Sequence, residues 1–76
     1  MQNRIEIDPR VCRGRPVIKG TRIPVAVILE QLAAGEEAQS VLTGYPELSL
    51  DDIRAALLYA AAAVANTEFE PSPLAA

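Results

Sequence analysis

The sequence predicts a mainly α domain: a three-helix, helix-turn-helix-like core preceded by a short two-stranded β element. Three observations predict it. Apolar residues recur at helical spacing in three segments between positions 24 and 65. Glycine or a Ser-Asp pair punctuates those segments. The first twenty residues instead alternate or run extended, with prolines at their edges. At 76 residues the chain is one domain, read here as residues 1–65 with a tail at 66–76.

Arg4-Ile5-Glu6-Ile7 alternates polar and apolar and reads as a strand that Asp8-Pro9 ends. Arg15 to Lys19 is the second extended piece, with Pro16 confined to a strand start or edge because it cannot donate. Two short strands make no stable sheet alone, so they must lean on helices or on a second copy. Gly20 to Ile23 turns the chain. Pro24 suits a first helical position, where its missing N–H costs nothing. The first helix is expected over 24–34, with Val25, Ile28, Leu29 and Leu32 on one stripe and Gly35 as its stop. The second is expected over 36–43, opened by Glu36 and Glu37 and ended by Gly44. Ser49 with Asp52 resembles a capping box and starts a third helix over 50–65.

The third helix is apolar most of the way round. Ile53, Ala56, Leu57, Ala60 and Val64 form the expected core stripe. The opposite side carries Ala55, Leu58, Tyr59 and Ala62 and is the candidate dimer or partner face. Half of the residues are hydrophobic, much for so small a core, which also points to a partner or a homodimer. The tail contains Pro71 and Pro73 and no periodicity; it is expected to be disordered in the free chain, with Phe69 as an anchor on a partner.

Charge is split along the chain. Residues 1–22 carry six cations against Glu6 and Asp8, a balance of +4. Residues 23–76 carry Arg54 against eight acids, a balance of −7, and the two make up the net −3. Arg13, Arg15, Lys19 and Arg22 lie within ten residues and suit phosphate oxygens, which makes them the candidate DNA-binding set. The plainer reading is internal pairing with Glu6 and Asp8, which could neutralise two of the four. The second and third helices match a helix-turn-helix in outline, but Asp51 and Asp52 open the would-be reading helix and repel phosphates.

Catalytic chemistry has little to work with. There is no histidine, and the lone Cys12 has no base to activate it and no companions for a metal site. Glu36/Glu37 and Asp51/Asp52 read as helix-start acids, because neighbouring helical residues do not face each other. The glycines at 14 and 20 miss the phosphate-loop spacing. The expectation is a binding domain, not an enzyme, with no cofactor and no metal. One cysteine, no apolar leader and a longest apolar run of 11 residues (55–65) lead to the expectation of a cytoplasmic chain without a membrane span.

Pro16-Val17-Ile18-Lys19-Gly20-Thr21-Arg22-Ile23-Pro24-Val25 closely resembles the signature of a family of small prokaryotic proteins, the domain of unknown function 433. The resemblance continues through Leu32-Ala33-Ala34-Gly35, Val41 to Leu48 and Asp52 to Leu57. It implies a helix-turn-helix-like fold and an antitoxin role beside a PIN-like nuclease toxin, with binding to the chain's own promoter. Arg13 stands where the family shows the first glycine of a pair. Nothing after Arg54 is basic, so the tail cannot place an arginine in a toxin's acidic metal site; Phe69 and the apolar face of the third helix would serve instead. Two rivals stay open: a stand-alone DNA-binding regulator, and a protein-interaction module that binds no DNA.

Overall fold

A computed structural model describes residues 4–65. Two strands, β1 (Ile5–Glu6) and β2 (Val17–Ile18), precede three helices, α1 (Val25–Ala33), α2 (Ala38–Gly44) and α3 (Leu50–Ala65). The mainly α architecture with a short β element is therefore as expected, and α3 has the expected bounds. The tail and Phe69 lie outside the described residues.

β1 and β2 pair antiparallel, Ile5 with Ile18 and Glu6 with Val17. A third extended piece lies on the other edge of β2. Val17 bridges Pro24, the Ile18 N–H donates to the Ile23 carbonyl at 3.0 Å, and the Val25 N–H donates to Pro16 at 2.9 Å. The connecting turn closes with Thr21 N–H on the Ile18 carbonyl at 2.9 Å. It carries Gly20 at φ +82°, the left-handed value a type II turn requires there. Thr21 holds the turn from both sides: its hydroxyl donates to the Ile18 carbonyl and accepts from the Ile23 N–H.

This hairpin explains two departures from expectation. Pro24 is not the first helical residue but the extended cap before it (φ −66°, ψ 144°), because it is still bridged to β2. The second extended piece, expected over Arg15 to Lys19, is a strand only at Val17–Ile18, and both of its residues are buried.

Gly35 ends α1 at φ +97°. Its N–H reaches the Leu32 carbonyl, and the Glu36 N–H reaches Gln31, the paired bonds of a Schellman cap. That cap consumes Glu36 and Glu37 as linker, so α2 starts two residues later than expected. At the start of α3 the expected capping box is present with Asp in the Glu position. The Ser49 N–H donates to Asp52 Oδ2 at 2.9 Å, and the Asp52 N–H donates to Ser49 Oγ at 3.3 Å.

The core gathers Ile18, Ile23, Val25, Ile28, Val41, Leu48, Ile53 and Ala56. The core face of α3 is rotated from the expected stripe: Ala55 is buried, whereas Leu57 and Val64 are exposed at 48% and 73%. Among the described residues no helix is long and apolar enough to cross a membrane.

Candidate functional site

The cations at 13, 15, 19 and 22 are all exposed. Their setting begins at Asp8, where the chain turns sharply. The Asp8 carboxylate accepts the Arg10 backbone N–H at 2.9 Å and grips the Arg10 guanidinium through both oxygens at 3.1 and 3.0 Å. The guanidinium holds this carboxyl below the ordinary aspartate value, and the carboxylate in turn raises Arg10. Asp8 is thus committed to Arg10 and does not neutralise the basic set.

Beyond it, Cys12, Arg13 and Gly14 lie in succession at φ +48°, +59° and +80°, one turn of left-handed helix closed by Gly14 N–H to Val11 and Arg15 N–H to Cys12. Such a backbone costs a non-glycine residue roughly 1–2 kcal/mol. Arg13 thus occupies a position whose geometry suits glycine. The Cys12 thiol points at the Arg22 carbonyl at 3.5 Å, so the left-handed turn packs beside the hairpin turn that carries Lys19 and Arg22. Among the described residues, the side chains of Arg13, Arg15, Lys19 and Arg22 form no ion pair, while Arg4, Arg10 and Arg54 each do. Among the described residues, Glu6 and Asp8 therefore do not neutralise these four. Arg15 stands apart from the other three. It lies at the opposite end of β2 from Lys19, about 13 Å away along an extended backbone, and borders a groove between α1 and α3.

The acids expected to repel phosphates at the start of α3 are themselves occupied. Asp52 is buried at 8% and binds Arg4 Nη1 at 3.0 Å in addition to closing the cap. Asp51 lies between Arg4 at 3.6 Å and Arg54 at 3.4 Å. Sequence reasoning missed Arg4 as their partner, since no local pattern links residues so far apart.

The candidate partner face fares unevenly. Leu58 is exposed at 51%, and Ala62 is half-buried. Tyr59 is half-buried, packs against the core and lines the α1–α3 groove. Ala55 is a correction: at 2% exposure it is buried within its own chain and offers a partner nothing, because the true core face of α3 runs through Ile53, Ala55 and Ala56. No group of three or more potential metal ligands occurs among the described residues.

The family model described as a protein of unknown function, DUF433, matches residues 5–60. The chain belongs to the DUF433 family. The match takes in both strands, the left-handed turn, the basic set, α1, α2 and most of α3. A crystal structure of a DUF433 member from Anabaena variabilis is 40% identical, with a TM-score of 0.72, and the alignment covers 76% of this chain and 57% of that one. The uncharacterised protein y4eO of Sinorhizobium fredii is 39% identical over 55 residues, 72% of this chain. This DUF433 chain spans only about a quarter of that relative's length and just over half of the solved chain.

Proposed function

We propose that this chain is the antitoxin of a type II toxin–antitoxin pair, neutralising a PIN-like ribonuclease and repressing its own promoter. The observation that carries the DNA-binding half is the set of four exposed cations left without a carboxylate partner among the described residues. Unneutralised guanidinium and ammonium groups on short, braced turns suit phosphate oxygens. The neutralised acids at the start of α3 remove an obstacle to that approach. The toxin-binding half rests on the family resemblance, with Leu58, Tyr59, Ala62 and Phe69 as contacts; the exposed Leu58 also supports a homodimer.

The test has two arms. The chain is co-expressed with the product of the adjacent gene, one partner tagged, and examined by size-exclusion light scattering. Co-elution in a defined ratio, with a growth defect when the neighbour is expressed alone, supports the antitoxin; clean separation removes it. Separately, affinity for promoter DNA is measured against salt. Four phosphate contacts give a slope of log affinity on log salt of about −3 to −4, and Arg15→Ala with Lys19→Ala flattens it by about 2. An unchanged slope takes those residues off the DNA surface. The second reading, a stand-alone regulator, draws on the same four cations and predicts DNA binding at full strength without the neighbour.

A further inference from the structure

The side of α3 turned away from the core carries a seam of its own. Leu50, Arg54, Leu57, Ala61 and Val64 recur at alternating four- and three-residue steps, and all five are exposed. That spacing is the heptad pattern by which one helix lies along another. The core face of the same helix, Ile53, Ala55 and Ala56, lies on its other side. We infer that this seam pairs with the same seam of a second copy, the two α3 helices running antiparallel about a two-fold axis at the level of Tyr59. The inference rests on the homodimer of the proposed reading and names its contact, with Leu57 at the centre and Leu58 on the flank.

Two features select a second copy in this orientation. The first is shape. Leu57 and Ala61 lie equally far on either side of position 59, so the two-fold axis sets each large Leu57 against the partner's small Ala61. Large facing small lets two helices interdigitate without voids. The second is charge. Arg54 and Val64 share the same midpoint, so each Arg54 lies over the partner's Val64, in the last turn of that helix. The last turn of α3 holds no basic residue, and positions 55–65 carry no charged side chain. There the guanidinium meets the negative end of a helix dipole while its stem covers Val64. A parallel pair would instead set Arg54 against Arg54. Arg54 can turn to this contact, because its pair with Asp51 is 3.4 Å long with both side chains at least half exposed, and Asp51 keeps Arg4 at 3.6 Å. A contact along one helix of 16 residues is small among interfaces, which marks a weak, reversible dimer.

The test uses the full chain alone, without toxin or DNA. Its failure leaves co-elution with the toxin standing, and a failure of co-elution leaves this dimer standing. In sedimentation equilibrium from micromolar to millimolar protein, the mass should rise from 8.1 kDa toward twice that value. Leu57→Glu and Ala61→Glu, both at exposed positions, should each hold the chain monomeric at unaltered helical circular dichroism. Orientation is read by mild oxidation in a Cys12→Ser background. Leu57→Cys mixed with Ala61→Cys should give the mixed disulfide. Val64→Cys alone should give none, since its two copies would lie about 15 Å apart along the axis. A monomer at every concentration overturns the inference, as does a dimer that survives both glutamate substitutions. A Val64→Cys disulfide between copies overturns it too, because it sets the helices parallel.

Discussion

Residues 4–22 and residues 23–65 are held by different forces. The helical part closes on apolar packing, with Ile28, Val41, Leu48 and Ile53 buried at its centre and a Schellman cap and capping box at its joints. The N-terminal part puts little into the core apart from Val17 and Ile18. It is held by backbone bonds and polar clasps: Thr21 on its hairpin, Asp8 on Arg10, Cys12 on Arg22. The consequence is a division of labour. An apolar body carries a polar, partly strained arm in which Arg4 and Arg10 are paired, while Arg13, Arg15, Lys19 and Arg22 form no ion pair among the described residues.

The largest effects are expected where the arm meets the core. Ile18 and Ile28 are exposed by only 2% and 0%. Ile18→Ala and Ile28→Ala should each cost about 2–5 kcal/mol in denaturant unfolding. An Ile18 variant costing less than about 1 kcal/mol would mean that the helices fold without the arm. Next in size is the joint between the two parts. Asp52→Ala removes the cap acceptor and Arg4's buried partner together and should cost about 1–2 kcal/mol. Arg4→Ala should cost less, since its side chain is 41% exposed and such pairs contribute about 0–1 kcal/mol. Equal losses would show that the ion pair, not the cap, is the joint's main support.

The strained turn offers a gain instead of a loss. Arg13→Gly relieves the left-handed penalty against the extra chain entropy of glycine, for a net stabilisation of about 1 kcal/mol. The same variant should flatten the salt slope of DNA binding by about 1. A more stable protein with an unaltered slope would place Arg13 off the phosphate surface. The smallest effect is that of pH. Asp8 titrates below its ordinary value near 3.8 in the folded chain, so its contribution is complete above that value and is lost as pH falls through the folded midpoint. Arg10→Ala should return the Asp8 midpoint, followed by carbon-detected resonance, toward 3.8.

The two parts were unequally legible in the sequence. The helices announced themselves through Gly35, Ser49 with Asp52, and the stripe of Val25 and Ile28, all local signals. The face of α3 did not. With alanine on every side the periodicity carries no preferred direction, and Ala55 went inward where Leu57 was expected. In the arm, strand alternation overextended two strands that are only two residues long. The left-handed turn was hidden because Cys12 and Arg13 are residue types that rarely adopt that backbone. The four cations were found by composition, but their freedom depended on Asp8 choosing Arg10, and the groove at Arg15 exists only in the assembled fold.

The Arg4–Asp52 contact spans 48 positions of a 76-residue chain and lies on the cap of α3. In kinetic terms it closes a loop of 48 positions, whereas each helix and the β2 hairpin form from neighbours. Contacts of such separation bear the largest loop-closure entropy and tend to form after the local ones. Loosening this clasp should therefore quicken unfolding more than it slows refolding, by at most about fivefold for a pair that contributes about 0–1 kcal/mol, so one half-buried arginine near the N-terminus acts on the native state's lifetime more than on its formation.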